Sequence, residues 1–540
     1  MVSILTMEIL FLPRSKAYSL FVLLKIILIP LSLVYSQLLI FPTLIGDDPW
    51  WHQVFTQSIL DSGFIPEGYS YSKLPIMHLM IGVTSLITGL DYKMATMFSI
   101  SLMQIICLLL FVFLLGRFIF NAKVGLLAAL LLGVSNYFIH ISYMTTANTL
   151  GVVLIPIIVY LLFKMKQDKS LIGSSLSILL MIVLILTHTI ASMGMVILLF
   201  AFWSGSEVFE RIYTEKCKIT ATLGIAIFFV VAMLAWWMYA SRHLVNLVRL
   251  IEWGFSIDVW TRGEPVYVAI DQYSHNMPLL ELLFNHTGEY LFFAIALIGA
   301  FYMISKEVKN LHSFNIGVGG MVMLGIVVYA ILFRYVILSD RWHYLSQVLL
   351  SIPLATAFFL FSMSLKKNFT KTLFVVTAVA VLSFSMIMTP AANMDNPLFK
   401  DATVRKAYTK SELQVIETML GLTDKKIVTD DSLAGHLTYL SQFPPERMFS
   451  IQECFYTKDF YYDFYYEKEH INYQNSIIVI RKGFSQNTIT AGMYSFIKLD
   501  YDPAQLLAEE DFCRIYDSGS VSAFCWDSIR TKGEKSNHKL

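Results

Sequence analysis

Two adjacent carboxylates followed by a proline and paired tryptophans, Gly46-Asp47-Asp48-Pro49-Trp50-Trp51-His52, form the stretch of this 540-residue sequence best equipped for chemistry. Two acids this close repel when both are ionised, which favours either a bound cation or one proton shared between them. Such a pair can take a proton from a hydroxyl or hold a metal. The same residues also read as plain structure. Pro49 suits the first position of a helix, and Asp48 suits the cap before it. Trp51, Phe55 and Ile59 then repeat at i, i+4 and i+8, with Gly63 as a stop. That spacing predicts an amphipathic helix on a membrane surface, anchored by Trp50 and Trp51. One carboxylate oxygen can cap while the other works, so both readings stand together.

Other side chains could bind an anionic or sugar-like substrate. Arg341, in Ser339-Asp340-Arg341-Trp342-His343, could hold a phosphate bidentately; its bland role is a pair with Asp340 or an interfacial anchor. His188, in Leu186-Thr187-His188-Thr189, and His78 lie in apolar surroundings, where an ionisable group is either a structural partner or part of a site. His52 closes the acidic motif. Arg262 lies among Trp260, Glu264 and Tyr267, a mixture that can line a sugar site or form ordinary loop surface. Asp430 and Asp431 are read as helix caps.

These groups must be positioned by a membrane scaffold. The chain is 56% hydrophobic and 15% charged, which excludes a soluble enzyme and a disordered tail. Its net charge of +1 provides no basic field for nucleic acid. Eleven apolar segments are expected to cross the bilayer, roughly 18–40, 95–116, 124–140, 149–163, 171–187, 190–204, 219–240, 288–304, 313–333, 343–363 and 372–390. Every second connection is rich in Lys and Arg, which places the N-terminus in the cytoplasm and the C-terminus outside. Residues 74–90 would reverse that pattern if they crossed, so they are expected to form a re-entrant or surface-lying helix.

The expected organisation is thus a transmembrane domain, 1–390, with a first external loop, 41–94, and an extracytoplasmic domain, 391–540. In the latter, 411–421 predicts a helix capped by Ser411 and stopped by Gly421. Residues 426–429 and 476–481 predict strands, and 513–526 a hairpin, which together suggest a small α/β domain. Cys513 and Cys525 on the hairpin arms could form a disulfide or remain free thiols. The acidic pair sits about seven residues beyond the first crossing, within roughly 23 Å of the membrane, at the depth of lipid head groups.

The first-loop motif, the following Ile65-Pro66, and Pro75 opening an apolar helix that ends at Gly89 resemble the GT-C superfamily of membrane glycosyltransferases. Asp48-Pro49-Trp50-Trp51 is similar to the first-loop motif of oligosaccharyltransferase catalytic subunits. The resemblance implies a GT-C-like, α-helical polytopic fold and a lipid-linked sugar donor on a polyprenyl or dolichyl phosphate. The sugar would pass to an extracytoplasmic acceptor, a protein, lipid or glycan, by inverting displacement. Membrane lipid would be a further partner. An aspartate of the loop is then base or metal ligand, a role that maps onto Asp48 with Asp47 beside it. A divalent cation, Mg or Mn, is left open as a cofactor. The next outer loop, Tyr143-Met144-Thr145-Thr146-Ala147-Asn148, lacks the acid that oligosaccharyltransferases carry there. In Asp430-Asp431-Ser432-Leu433-Ala434-Gly435-His436 only the Gly-His ending is similar to their acceptor-reading block. A single-sugar transferase therefore fits better than transfer of a preassembled glycan to Asn. A transporter or flippase is the third reading.

Overall fold

The computed structural model describes the chain apart from residues 14, 169–170, 214–222, 256–273, 277–278, 334–338, 394–404, 406, 439–444, 451–457, 459–463, 467–468, 484–488, 492–494 and 527–540. It is predominantly helical and contains two compact units. The first comprises Met1–Gln37, Phe55–Ser256 and Phe284–Asn393; the second comprises Leu38–Val54, Ile257–Leu283 and Met394–Leu540.

The first unit is a bundle of apolar helices. Among the described residues, nine are long and apolar enough to cross a membrane, from Lys16–Ile40 to Asn368–Ile387. Ala122–Gly133 and Asn136–Tyr143 make a tenth if the pair, bent by 59°, is one span. The sequence suggested eleven. The remaining segment is Leu171–Ile185, whose 15 residues rise about 22 Å, short of a hydrocarbon core of about 30 Å. The chain is an integral, multi-pass membrane protein. Small residues bring its helices together, since lipid offers no hydrophobic drive for association. A Cβ at Gly299 would lie 1.8 Å from the Pro353 carbonyl oxygen, and one at Gly116 would lie 2.7 Å from the Gly125 Cα. An N-terminal helix, Val2–Leu10, was not expected; it buries Leu5 and Ile9, and its Glu8 binds Lys25 at 2.8 Å.

The apolar stretch expected not to cross forms the helix Ile76–Thr88. Its 13 residues rise only about 20 Å. Gly89 ends it in the left-handed region, at φ +69°.

The second unit is built on a five-stranded mixed sheet. Lys426–Thr429 pairs in parallel with Met448–Ser450 on one side and Ser476–Arg481 on the other. Val521–Trp526 then pairs antiparallel with Ser476–Arg481 and with Phe512–Asp517. Val428, Phe449, Ile478, Ile480, Leu507, Phe512 and Phe524 form a core on this sheet. The two predicted strands and the hairpin are present. The predicted helix is Lys410–Leu422, capped by Thr409 rather than Ser411: the Thr409 hydroxyl and the Glu412 carboxylate form a reciprocal capping box. Gly421 does not stop it. Cys513 and Cys525 are register partners across the hairpin.

Candidate functional site

The helix carrying the acidic motif spans Asp48–Ser62, so it begins one residue earlier than the proline suggested. Asp47 stands just before it, and its carbonyl accepts the Trp50 N–H at 3.3 Å. Gly46, at φ +93°, supplies the left-handed turn that leads into the motif. The buried stripe is His52, Phe55, Thr56 and Ile59 rather than Trp51, Phe55 and Ile59. Trp50 is 2% exposed and therefore does not anchor a membrane surface; Trp51 is 36% exposed.

Residues 38–54 pack within the sheet unit, and their partners are specific. The Thr43 hydroxyl accepts the Tyr408 backbone N–H at 2.9 Å. The Arg405 guanidinium lies over the Phe41 ring at 5.2 Å. The Trp50 indole stacks on the His436 imidazole, with centroids 5.3 Å apart and planes 10° apart.

His436 belongs to the short helix Asp431–Thr438, which follows the strand Lys426–Thr429. Its Nε2 lies 2.8 Å from Oδ1 of Asp47, and its Nδ1 lies 2.6 Å from the Tyr408 hydroxyl. Burial pushes the Tyr408 phenol well above its usual range, so it stays protonated. The Tyr408 O–H then donates to Nδ1, which leaves the imidazole proton on Nε2, aimed at Asp47. Beneath this row, Arg481 donates to both Asp430 oxygens, from Nη2 at 2.6 Å and from Nε at 2.8 Å. Burial alone would lower the Arg481 pKa, but the Asp430 charge and these bonds more than offset it and raise the value overall. Asp430 also accepts the Leu433 N–H at 3.1 Å, so it does cap the helix that carries His436, as the sequence suggested.

Asp47, Asp48, Trp51, Asp431, Ser432, Gly435 and His436 line a cavity of about 560 Å³. That is within the size range of small-molecule sites. It offers three carboxylates, a hydroxyl, an imidazole and an exposed indole face, groups suited to a polyhydroxylated ligand. Among the described residues, no three His, Cys, Asp or Glu side chains gather as a metal centre requires. Asp47 and His436, two donors of suitable type, hold one another.

Three of the other candidates meet in the membrane unit. His188 forms the buried turn before Thr189–Tyr213, and its Nε2 lies 3.4 Å from Nη1 of Arg341, in the first turn of Ser339–Ser364. The Tyr71 ring faces both His188, at 6.4 Å, and His78, at 5.3 Å. His78 is fully buried and also packs against Phe55 at 4.6 Å. His52 is 2% exposed in the first turns of the acidic helix. Arg262 lies outside the described residues. The sequence reading did not single out Glu289, which is 3% exposed within an apolar span and lies 3.0 Å from Nε2 of His343. An acid in an apolar segment was the available signal. It also passed over Tyr408 and gave His436 no role, because their partner is distant in sequence.

Residues 73–237, less than a third of the chain, match the family model described as dolichyl-phosphate-mannose-protein mannosyltransferase. No curated protein matches. The Archaeoglobus fulgidus oligosaccharyltransferase AglB, solved with an inhibitory peptide and a dolichol-phosphate, aligns at a TM-score of 0.52 with 12% identity. That alignment covers 86% of this chain and 69% of AglB. The chain shares the fold of that oligosaccharyltransferase. The apo form of the A. fulgidus enzyme aligns at 0.50 with 12% identity, over 81% of this chain and 65% of its own, so the chain spans about two thirds of that relative's length. ArnT from Cupriavidus metallidurans, bound to undecaprenyl phosphate, aligns over 93% of this chain and 97% of its own, with 11% identity. At a TM-score of 0.49 that likeness is too loose to argue from.

Proposed function

We propose that this GT-C protein transfers a single sugar from a polyprenyl-phosphate-linked donor to an acceptor on the extracytoplasmic side of the membrane. The observation that carries the reading is the Tyr408–His436–Asp47 row beside a polar cavity that also includes Asp48. The donor is already activated, so catalysis reduces to orientation and removal of one proton. Asp47 is held by His436, and Asp48, which lines the same cavity, is the base that receives the acceptor hydroxyl proton. The acceptor oxygen then forms a bond to the anomeric carbon as the bond from that carbon to the phosphate oxygen breaks. The configuration inverts, and the lipid phosphate departs with the electron pair. Trp51 offers its indole face to a sugar ring.

Arg341, with His188 as its neighbour, is the candidate in the membrane unit for a lipid-phosphate contact, because a guanidinium matches phosphate geometry bidentately. The fold and the family match support a lipid-linked donor. The alternation of basic loops supports the extracytoplasmic placement.

The test is transfer from a radiolabelled polyprenyl-phosphate monosaccharide by the purified full-length protein in detergent. Asp48→Asn is expected to lower turnover by at least about a hundredfold, and Arg341→Ala to weaken donor use. Undiminished turnover in Asp47→Asn and Asp48→Asn would refute the assignment of the site. Transfer confined to preassembled oligosaccharide and an Asn-containing peptide would replace the single-sugar reading.

A further inference from the structure

A second cavity, of about 360 Å³, lies in the membrane unit and includes Lys16, Arg117 and Lys123 in its lining. These cations come from three helix ends: Lys16 opens Lys16–Ile40, Arg117 lies in the last turn of Leu102–Ile119, and Lys123 lies in the first turn of Ala122–Gly133. Ends of apolar spans lie at head-group depth. No carboxylate lines the cavity. The sequence supplies none nearby: it has no acid between Glu8 and Asp47 or between Asp91 and Asp168. Glu8 itself is engaged by Lys25. Among the described residues, neither Lys16 nor Arg117 pairs with an acid. Lys123 gives one proton to the Leu10 carbonyl, at 2.5 Å, and keeps two others to donate. The Asn121 carboxamide oxygen caps Ala122–Gly133 by accepting two backbone N–H groups. Leu12 and Pro13 supply an apolar wall beside the charges.

We propose that this cavity binds the phosphate of an anionic membrane lipid, with Lys16, Arg117 and Lys123 around the phosphate and the acyl chains running along the bundle. Three uncompensated cations at the depth of head groups, beside an apolar wall, match an anion attached to a hydrocarbon tail. Basic pockets between transmembrane helices bind lipid head groups by this chemistry. The assignment does not depend on the transfer reaction.

The experiment titrates full-length protein, in an uncharged detergent, with dioctanoyl phosphatidylglycerol, dioctanoyl phosphatidylcholine or inorganic phosphate, read by thermophoresis. Saturable binding of phosphatidylglycerol is expected, with none for phosphatidylcholine and far weaker binding of inorganic phosphate. Lys16→Gln should weaken phosphatidylglycerol about fivefold and the Lys16→Gln/Arg117→Gln pair about twenty-fivefold. Arg117→Lys should stay within about twofold, because charge is kept. Lys366→Gln, outside the cavity, should change nothing. Should the double variant fail to elute as a folded species, Lys16→Gln alone decides. Unsaturable binding, affinity unchanged in Lys16→Gln, or equal weakening by Lys366→Gln would overturn the site. Displacement by an equal concentration of inorganic phosphate would overturn the lipid as its ligand.

Discussion

Separating Asp430 from Arg481 should unfold the sheet strand that carries the arginine before anything else in the molecule changes. Both side chains are almost wholly buried, and two hydrogen bonds of 2.6 and 2.8 Å join them. Arg481 also lies over the Tyr408 ring at 5.1 Å, and Asp430 caps the helix of His436. Arg481→Met therefore leaves an uncompensated buried carboxylate, and Asp430→Asn an uncompensated guanidinium. Removing one member of a buried pair costs about 3–5 kcal/mol. The double variant removes both charges and should cost less than the sum of the singles, with a coupling of about 2–3 kcal/mol. Hydrogen exchange of the strand Ser476–Arg481, followed by mass spectrometry on the full-length protein in detergent, reads this locally. A loss of 3–5 kcal/mol corresponds to exchange faster by about two to three and a half powers of ten. Additive singles, or a change below tenfold, would show that the pair does not hold the strand and that the platform beneath His436 rests on apolar packing alone.

Further outcomes can be checked alongside. His436→Phe keeps an aromatic ring against Trp50 but removes both hydrogen bonds of the row; sugar transfer should fall about a hundredfold with hydrogen exchange of the sheet unchanged, and intact transfer would deny His436 a part in positioning Asp47. Because the folded Tyr408 pKa is raised, its contribution to stability is complete below pH about 10 and is lost as pH rises beyond, at about 1.4 kcal/mol per pH unit; Tyr408→Phe should remove that slope in alkaline unfolding of the sheet unit. Gly299→Ala forces a Cβ against the Pro353 carbonyl and should cost about 1–3 kcal/mol, seen as a lower midpoint in thermal unfolding, whereas Gly325→Ala, which meets open space, should not. Cys513 and Cys525, opposed across the hairpin, should both take up a maleimide without prior reduction; a mass lower by two hydrogens with no labelling would mean that they are bonded.

What the sequence revealed follows the range of each interaction. Apolar length marked the membrane helices, short apolar runs marked Lys426–Thr429 and Ser476–Arg481, and the Asp517-Ser518-Gly519 turn marked the hairpin, because those signals are local. Pro75 and Gly89 bounded their helix for the same reason. Among the described residues the long apolar helices number fewer than the expected crossings because Leu171–Ile185 has only 15 residues and a 59° bend divides Ala122–Gly133 from Asn136–Tyr143, features that hydropathy does not register. Ser411 lost the cap to Thr409 because Glu412 lies three residues after the threonine and closes a capping box. Trp50 was read as a surface anchor because composition cannot tell an interfacial indole from one stacked on a distant imidazole. His436 and Tyr408 acquire their meaning only from Asp47, and no periodicity links residues so far apart.

That separation has a temporal consequence. The Thr43–Tyr408 contact joins residues 365 positions apart. At about 5–20 residues per second, the aspartate segment leaves the ribosome roughly 20–70 s before its counterpart. Through that interval the nascent chain holds Asp47 without the His436 that later bonds it. Competence can arrive only when synthesis is nearly finished, so a ribosome-stalled intermediate should insert into the bilayer yet remain inert. Any attempt to excise the sheet unit as a soluble fragment must carry residues 38–54 along with it or forfeit the aspartates.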